Sequence, residues 1–246
     1  MNFYQKMKLN ISVKQSIVLI SMKNKITFFK DSKKKIKKKR LNYILKNNFE
    51  NFKPSKDFKN FGYDYFDNKN YLIGYKEYKY DGRYKTIVKK IIKFFKLKKG
   101  SSILEIGCAK GFIIKEFKSF GMKVIGIDKS SYVKANTLKS IKKNIKIFKD
   151  ISKIQSLKNK HFDLLISKES LPHFSLKELK SLVNNLKKFK IDNMLFVIQC
   201  IKREKDREYY LKWDKTHKIL WKKNQWKKFF RENKLRVKLE FKYLFS

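Results

Sequence analysis

From Ile103 onward, short apolar segments alternate with segments of helical periodicity, and this alternation constrains the fold more than any other feature. The runs typical of buried strands are residues 103–106, 123–127, 145–148, 162–166, 194–198 and about 235–244. Helical spacing occupies about 84–96, 111–120, 131–142, 175–189 and 224–233. Such alternation favours right-handed crossovers, which place the strands in parallel and the helices on both faces of the sheet. The sequence therefore predicts an α/β, doubly wound fold with a mostly parallel sheet.

A glycine turn follows the first predicted strand, within residues 103–112. Ligands of an open parallel sheet bind at the carboxyl ends of the strands, where such turns lie. Gly107 allows the backbone to come close to a ligand, and Gly111 allows close packing at the start of the next helix, whose free amides suit a carboxylate. Cys108 and Ala109 lie between the two glycines and belong to the same predicted binding site.

Glu105, at the end of the first strand, distinguishes between two classes of ligand. A dinucleotide site has the pattern G-x-G-x-x-G, whose second glycine lets a pyrophosphate approach, whereas this turn reads Gly-Cys-Ala-Lys-Gly. A carboxylate at Glu105 would repel a diphosphate and attract an ammonium group. The charges therefore favour S-adenosylmethionine, whose methionine end carries an ammonium group.

Two further carboxylates follow the next two predicted strands. Asp128 lies about 20 residues after the glycine turn, a position from which a carboxylate can bond both hydroxyls of an adenosine ribose. Asp150 follows the third strand, and we predict that it and Ile151 contact the adenine. Either aspartate alone could simply cap a turn or a helix. Three acids at the ends of three successive strands, beside a glycine turn, favour one cofactor site.

The segment from Glu105 to Gly111 resembles the glycine-rich motif of class I S-adenosylmethionine-dependent methyltransferases, which have a Rossmann-like fold. Asp128 and Asp150 match the ribose and adenine positions of that family. Ala109 departs from the motif, because the family often has glycine there. The resemblance implies a sheet that normally ends in two antiparallel strands, of which the sequence shows one clearly.

This resemblance extends over about residues 75–245. Within it, residues 78–84 and 213–217 look like flanking segments of bacterial methyltransferases found with sugar and surface-polysaccharide enzymes. The narrower resemblance implies a small-molecule acceptor such as a sugar or a surface-polysaccharide precursor.

His173 is the candidate catalytic residue, because it follows the fourth strand near the expected methyl site. A general base is needed only for a hydroxyl or a protonated amine, since positioning supplies most of the acceleration of a methyl transfer. His173 is equally well explained as a residue at a helix entry. The candidates for substrate binding are Arg83, Glu169 and His217. The guanidinium fork of Arg83 suits a carboxylate or phosphate on the substrate. Glu169 could instead simply pair with Lys168 or another lysine, and His217 could orient an acceptor with Asp214, which could equally be a cap.

The formal net charge of +43 is typical of a protein that binds nucleic acid. Only six of the 64 basic residues are arginine, and the lysines are spread along the chain among many Ile, Asn, Phe and Tyr, a residue set that A/T-rich codons encode. A phosphate-binding surface would favour clustered cations and the arginine fork. We therefore expect a small-molecule acceptor, with nucleic acid as the less favoured partner.

Two other functions stay open. RNA methylation would keep the fold and use the basic surface, and a non-catalytic protein would bind the cofactor or polyanions without methyl transfer. Methylation of a base amino group is not favoured, because the chain reads Ser-Lys-Glu-Ser where such enzymes have Asn/Asp-Pro-Pro-aromatic. Methylation of a cytosine carbon needs a nucleophilic cysteine near that place, and neither Cys108 nor Cys200 fits.

The composition divides the chain into a basic, Lys- and Asn-rich N-terminal extension, residues 1–60, and a methyltransferase domain, residues 61–246. Within that domain we predict three parts, which are an aromatic lid and entry helix (61–99), a cofactor-binding core (100–200) and an acceptor-side segment (201–246). The aromatic residues of the lid could equally be ordinary packing.

The cysteines and the lengths of the apolar runs indicate in which compartment the protein is expected. Two cysteines without a C-x-x-C pattern predict neither a disulfide framework nor a zinc site, and we predict no metal. No apolar run reaches the roughly 18–20 residues that span a bilayer. We therefore expect a cytoplasmic protein without a transmembrane segment, of unknown oligomeric state.

Overall fold

The computed structural model describes residues 26–47, 49 and 51–245. Contacts divide the chain into a unit of residues 1–30 and a unit of residues 31–246. In the first unit only residues 26–30 are described, and these contain no helix or strand. The first 25 residues of the predicted N-terminal extension therefore lie outside the described residues.

The strands, in chain order, are β1 (Ser102–Ile106), β2 (Lys123–Asp128), β3 (Ile145–Ile147), β4 (His161–Phe162), β5 (Leu164–Lys168), β6 (Lys190–Ile191), β7 (Met194–Gln199) and β8 (Lys238–Lys242). Six of them form one sheet in the order β3-β2-β1-β5-β7-β8, and every neighbouring pair is parallel. The short strands β4 and β6 pair with each other. This sheet confirms the predicted Rossmann-like, doubly wound fold.

The α-helices, in chain order, are α1 (Lys34–Lys46), α2 (Lys56–Lys59), α3 (Tyr63–Phe66), α4 (Lys85–Phe95), α5 (Phe112–Ser119), α6 (Ser131–Ala135), α7 (Leu176–Leu186), α8 (Asp206–Trp213) and α9 (Lys223–Glu232). A capping box begins α7, because Ser175 accepts from the amide of Glu178 and the Glu178 side chain accepts from the amide of Ser175. Three 3-10 turns, Lys139–Asn144, Ile151–Leu157 and Leu171–His173, connect the other elements.

The middle of the sheet is apolar on both faces. Ile103, Leu104 and Ile106 of β1 are all completely buried although their side chains point to opposite faces. Burial of consecutive residues requires cover on both sides, and this is typical of parallel sheets with helices above and below. The largely apolar run at residues 103–106, from which this strand was predicted, thus reflects the position of β1 in the middle of the sheet.

The order of the strands places a crevice beside β1. The chain proceeds from β1 through β2 to β3 at one edge, and then returns to the other side of β1 with β5. The connections that leave β1 and β5 therefore diverge, and they open a crevice at the carboxyl ends of these two strands. The glycine turn, residues 107–111, lies at this position.

Several element boundaries differ from the prediction. The predicted strand 162–166 is interrupted at Asp163, whose amide donates to the Ser102 carbonyl and whose carboxylate accepts from the Ser102 amide. The predicted helix 131–142 ends at Ala135, because the Asn136 side chain donates to the Tyr132 carbonyl and competes with the next helical turn.

The carboxyl-terminal part also differs from the expected pattern. Helix α8 was not predicted from the sequence. The last strand, β8, is parallel to β7, and residues 26–47, 49 and 51–245 contain no antiparallel partner in this sheet. The expectation of a sheet that ends in two antiparallel strands is therefore wrong for the described chain.

A second apolar cluster packs beside the sheet. Its buried members include Ile44 of α1, Phe58 of α2 and Tyr65 and Phe66 of α3. Residues from Asp31 onward therefore belong to the same compact unit as the sheet. Of the helices that are described, none combines the length and the apolar character needed to cross a bilayer.

Candidate functional site

A cleft of about 1050 Å³, a volume that includes open solvent at its mouth, lies at the carboxyl ends of β1, β2 and β5. Its lining combines many apolar and aromatic side chains with a few charged ones, which is typical of a ligand-binding cleft. The first strands and their connections contribute Glu105, Ile106, Gly107, Cys108, Ala109, Phe112, Ile113, Ile127, Asp128, Lys129, Phe148, Lys149 and Ile151. The other lining residues belong to the aromatic block, to the end of β5 and to the segment that leads into the first turn of α7, and they are Phe61, Tyr65, Phe66, Tyr75, Tyr78, Tyr84, Lys168, Glu169, Ser170, His173, Phe174 and Glu178.

Glu105 is the acidic group deepest in the cleft. Only 2% of the residue is exposed, and its Oε2 has no hydrogen-bond partner among the described residues. Burial raises the pKa of Glu105 well above its ordinary value, and the charge of Asp128 adds to the rise while Lys168 opposes it. An unpaired buried carboxyl oxygen is costly, and a ligand with a donor or a cation would satisfy it. This observation supports the predicted ammonium site.

The glycine turn brings two loops into close contact. A Cβ atom on Gly107 would lie 2.3 Å from Cβ of Ser170 and 2.6 Å from its Oγ, so glycine is required for the first loop to reach the loop after β5. Gly107 also has φ of 69°, a conformation that favours glycine. Ala109 adopts φ of 47° without being glycine. Gly111 precedes α5 with φ of 75°, and its missing Cβ makes room for Ile141.

Asp128 ends β2 and is bound to the glycine turn. Its Oδ2 accepts from the Ala109 amide at 2.9 Å, and its Oδ1 accepts from the Ser130 amide at 3.0 Å. Burial raises the pKa of Asp128, and these amide bonds oppose the rise because they stabilise the carboxylate. The carboxylate therefore lies beside the turn, where the sequence predicted a ribose-binding acid.

Cys108 lies between these groups and is 4% exposed. Burial raises the pKa of its thiol, and the carboxylates of Asp128 and Glu105 add to the rise. A thiol in such surroundings stays protonated and is a poor nucleophile. Cys108 can therefore contribute shape and contact to the cleft but not covalent catalysis.

The third predicted acid lies differently. Asp150 is exposed and does not line the cleft, and its Oδ1 accepts from the Ser152 amide at 2.8 Å as the cap of a 3-10 turn. Ile151 does line the cleft. The structure thus brings Glu105, Asp128 and Ile151 together, and the contact of Asp150 with adenine stays a prediction.

His173 lines the cleft in the segment that follows β5. Its ring stacks on His217 with centroids 4.7 Å apart, and Phe61 contacts it edge-on at 5.5 Å. Burial lowers the pKa of His173 to about 4, and His217 adds to the fall while Asp214 opposes it. The imidazole is therefore neutral at neutral pH and able to accept a proton.

Lys168 and Glu169 form an ion pair in the cleft, with Nζ 3.1 Å from Oε2. Lys242 lies 3.3 Å from the other oxygen of Glu169, and the Gln199 amide also donates to this carboxylate at 3.2 Å. Burial alone would raise the pKa of Glu169, but the two lysines outweigh it and hold the pKa at about 2. Glu169 is therefore a carboxylate with three partners.

The other two residues predicted to bind substrate do not line the cleft. His217 is buried behind His173 and its Nε2 lies 2.9 Å from Oε1 of Gln199. Arg83 is exposed on the surface, where its guanidinium binds Asp81. Roles of Arg83 and His217 in substrate binding stay predictions.

The aromatic block identified in the sequence forms one wall of the cleft. We call this set the aromatic wall, and it consists of Phe61, Tyr65, Phe66, Tyr75, Tyr78 and Tyr84. The wall is fixed to the β2 connection, since Oγ of Ser130 donates to the Phe61 carbonyl at 2.6 Å. The aromatic block could form a lid over the site or could be ordinary packing. The structure is compatible with both, because the residues line the cleft and also pack on one another.

Sequence reasoning missed several residues that shape the site. Thr216 links His173 to Asp214, and Lys110 pairs with Asp67 beside the aromatic wall. Neither the contact of Thr216 with His173 nor that of Lys110 with Asp67 can be recognised in the sequence, because 43 positions of the chain separate the two partners of each contact. Lys168 was noted only as a partner of Glu169.

Comparison with known proteins gives one family and several similar folds. A family model described as "Methyltransferase domain" matches residues 77–240. No protein with curated annotation matches the chain significantly. An S-adenosylmethionine-dependent methyltransferase from Archaeoglobus fulgidus is 20% identical with a TM-score of 0.49, over 62% of this chain and 67% of its own.

Two further solved structures are similar. The YcgJ protein from Bacillus subtilis is 16% identical with a TM-score of 0.48, over 59% of this chain and 66% of its own. Phosphoethanolamine N-methyltransferase 2 from Haemonchus contortus, solved with phosphomonomethylethanolamine and S-adenosylhomocysteine, is 18% identical with a TM-score of 0.45, over 60% of this chain. The present chain spans only 36% of the length of that enzyme.

Proposed function

This chain belongs to the methyltransferase domain family and is an S-adenosylmethionine-dependent methyltransferase, and we propose that its acceptor is a small molecule bound beside the aromatic wall. The observation that carries the proposal is that two unlike sets of residues line one cleft. One set contains Asp128 and Glu105, whose Oε2 has no partner among the described residues, and the other contains His173 and the aromatic wall.

The residues at the glycine turn suit the cofactor. Glu105 would bind its ammonium group, since Oε2 has no other partner among the residues that are described. Asp128 would accept from the ribose hydroxyls, and Ile151 would contact the adenine. Gly107 lines the cleft, and its missing Cβ lets the turn pack against Ser170 beside the proposed cofactor site. When bound, S-adenosylmethionine supplies an electrophilic methyl group.

The part of the cleft that is lined by His173 and the aromatic wall suits a compact, partly apolar acceptor with a hydroxyl or amino group. Aromatic side chains present flat apolar surface, and they can stack on a sugar ring or a planar molecule. The Lys168–Glu169 ion pair adds polar groups to the same wall. A sugar or surface-polysaccharide precursor has the hydroxyls and the apolar ring faces that such a wall can bind.

His173 would take the proton of the acceptor. An acceptor oxygen becomes strongly acidic as it gains a methyl group, so a base with a pKa of about 4 is sufficient. The remainder of the acceleration would come from holding the acceptor in line with the methyl group. Neither Cys108 nor Cys200 takes part, because burial raises the pKa of both thiols.

One observation favours a second candidate function. The net charge of +43 would attract RNA without any specific surface, and an RNA acceptor would use the same cofactor site. The enclosing aromatic wall argues for a small acceptor instead. The two candidates differ in the labelled product.

The first experiment measures cofactor binding by calorimetry. Wild-type protein should bind S-adenosylmethionine, and Asp128→Ala should lose most of the affinity while circular dichroism shows the fold unchanged. Asp192→Ala is the matched control, because this exposed aspartate pairs with His161 away from the cleft. Equal affinity of Asp128→Ala and wild type would remove Asp128 from the site.

The second experiment identifies the acceptor. The protein is incubated with cofactor labelled in the methyl group and with separated small-molecule and RNA fractions of a cell extract. Label in a small molecule, incorporated much more slowly with His173→Gln, would support the proposal. Label in RNA alone would favour the second candidate, and cofactor binding without transfer to either fraction would contradict both.

A further inference from the structure

Three side chains form a hydrogen-bonded chain that reaches the cleft at His173. Oγ1 of Thr216 donates to Oδ1 of Asp214 at 2.6 Å and lies 2.8 Å from Nδ1 of His173. The Thr216 amide donates to the same carboxylate oxygen at 2.9 Å, and the Tyr65 hydroxyl donates to Oδ2 at 2.9 Å. The Asp214 carboxylate thus accepts from three donors. We call Asp214, Thr216 and His173 the relay.

The donors and acceptors of the relay determine which nitrogen of His173 carries hydrogen. A threonine hydroxyl has one hydrogen, and an ionised carboxylate can only accept. Although burial opposes it, the neighbouring His217 and His173 and the bonds from Thr216 hold the pKa of Asp214 below its ordinary value, so Asp214 is ionised at neutral pH. The hydrogen of Thr216 is therefore committed to Asp214. Toward His173 the Thr216 oxygen can only accept, and Nδ1 of His173 must be the donor.

The His173 ring is also held in one orientation. It stacks on His217 with an angle of 12° between the rings, and Phe61 meets it edge-on at 86°. His217 is itself fixed, since its Nε2 lies 2.9 Å from the Gln199 oxygen. His173 lines the cleft, and its Nε2 has no hydrogen-bond partner in the part of the chain that the structure describes.

We propose that Asp214 and Thr216 are positioning residues that hold His173 in the Nδ1–H tautomer, so that Nε2 is the atom that takes the proton of the acceptor. The inference rests on the proposed function, which makes His173 the base. As the acceptor oxygen bonds to the methyl carbon, its O–H bond breaks and the proton passes to Nε2. The electron pair of the broken carbon–sulfur bond stays on sulfur. The imidazolium formed at His173 is stabilised through Thr216 by the charge of Asp214, and it later releases the proton to water.

A metal ion is the alternative use of the same residues. One atom each of His173, Asp214 and His217 lie within 4.8 Å of one another, as in a two-histidine, one-carboxylate site. The hydrogen bonds favour the relay, because Nδ1 of His173 and the Asp214 carboxylate already have partners. A metal would have to displace these bonds and draw the ligands together.

The experiment compares Thr216→Val with Thr216→Ser. Valine preserves the shape of threonine and removes the hydroxyl, whereas serine keeps the hydroxyl and removes a methyl group. Nuclear magnetic resonance of protein labelled with nitrogen-15 in histidine reports which ring nitrogen of His173 carries hydrogen. This readout needs neither acceptor nor turnover. Kinetics are measured in parallel wherever an acceptor has been identified.

We expect the Nδ1–H tautomer in wild type and in Thr216→Ser, and a mixture of tautomers or the Nε2–H form in Thr216→Val. Thr216→Val should lower kcat by about 10-fold or more and leave KM for both substrates within about 3-fold, since a lost hydrogen bond to a charged network acts on the transition state. Thr216→Ser should restore kcat.

Three outcomes would overturn the relay. The first is Nε2–H in the wild-type protein, and the second is a tautomer unchanged in Thr216→Val. The third is a stoichiometric metal in the purified protein whose removal by a chelator changes the His173 signals, because this would assign the cluster to a metal instead. If the tautomers behave as expected but no small acceptor is methylated, the Nδ1–H assignment stands, while the proposed function and with it the role of Nε2 as proton acceptor fail.

Discussion

Nζ of Lys110 lies 2.6 Å from Oδ1 and 2.5 Å from Oδ2 of Asp67, and both side chains are largely buried. Lys110 belongs to the glycine turn, and Asp67 directly follows α3 of the aromatic wall. The Tyr132 hydroxyl donates to Oδ2 of Asp67 at 2.5 Å. This buried ion pair therefore joins the glycine turn to the segment that follows α3, a helix that contributes Tyr65 and Phe66 to the aromatic wall.

Removal of the lysine from this pair should destabilise the protein. Lys110→Met leaves the Asp67 carboxylate buried without its cation, and breaking such a pair costs about 3 kcal/mol in the free energy of unfolding. Urea denaturation measures the change. Lys228→Met is the matched control, because the Lys228–Glu232 pair is exposed on α9 and contributes little. Equal stability of the two variants would contradict a structural role of the Lys110–Asp67 pair.

Glu105 should make the stability of the protein without cofactor depend on pH. Burial raises its pKa in the folded state, so the folded protein retains a proton that the unfolded chain releases as the pH rises through the ordinary value. Stability from this group is therefore present at low pH and is lost as the pH rises. Glu105→Gln cannot titrate, and its stability should change less between acid and neutral pH than that of wild type. Thermal unfolding over this pH range measures the difference.

The proton that Glu105 holds in the protein without cofactor should be released when the cofactor binds. An ammonium group beside Glu105 favours the carboxylate, so binding should release a proton and the affinity for S-adenosylmethionine should rise with pH. Calorimetry in buffers of different ionisation enthalpy counts the proton. Release from wild type but not from Glu105→Gln supports the assignment, and identical values for the two proteins would exclude it.

Gly107→Ala should weaken both folding and cofactor binding. The new Cβ atom would lie 2.3 Å from Cβ of Ser170, and φ of 69° adds backbone strain of about 1–2 kcal/mol. Gly82→Ala is the control, because Gly82 has φ of 75° with no atom within 4 Å of its Cβ position. Urea denaturation and calorimetry should show a larger loss for Gly107→Ala. Adding Ser170→Gly should recover part of it, and no recovery would mean that the contact with Ser170 is unimportant.

His173→Gln should lower kcat by about 100-fold, which is the lower range for loss of a general base. Cofactor affinity should change little, because Glu105 and Asp128, and not His173, are the residues proposed to bind the cofactor. His161→Gln is the control, since His161 is exposed on β4 and pairs with Asp192. Steady-state kinetics and calorimetry separate the two effects. Unchanged turnover would make His173 a structural residue at a helix entry.

The pH dependence of His173 follows from its surroundings. Burial, with His217 and Lys129 adding and Asp214 opposing, lowers its pKa to about 4. The activity of wild type should therefore persist well below neutral pH and fall only near pH 4, rather than near the pKa of about 6.5 of an ordinary histidine. The folded state takes up this proton at a lower pH than the unfolded chain does. The free energy of unfolding should therefore also fall as the pH drops from about 6.5 toward 4. His173→Gln should lack this part of the loss.

The residues proposed to bind the cofactor could largely be predicted from the sequence. Parallel strands have their carboxyl ends at one edge, so Glu105, Asp128 and the glycine turn had to meet once the strand–helix alternation was correct. Asp150 shows the limit of this reasoning. Its place after β3 was predicted, but the direction of its side chain depends on a local bond to the Ser152 amide.

The residues proposed to bind the acceptor could not be predicted from the sequence in the same way. Arg83 was selected for its chemistry, yet it binds Asp81 two positions away and faces solvent. The contact of Thr216 with His173 bridges 43 positions of the chain, and no periodicity connects them. Such contacts depend on how α8 and the segment after it pack against the sheet.

The sequence by itself determined the alternation of the main strands and helices of the sheet, the glycine turn and the positions of Glu105 and Asp128, because local apolar periodicity and strand direction are sufficient to position them. Only the tertiary structure decided the enclosure of the cleft, the Lys110–Asp67 pair and the tautomer of His173. These features depend on distances of a few ångströms between side chains far apart in the chain, and such distances are set by packing.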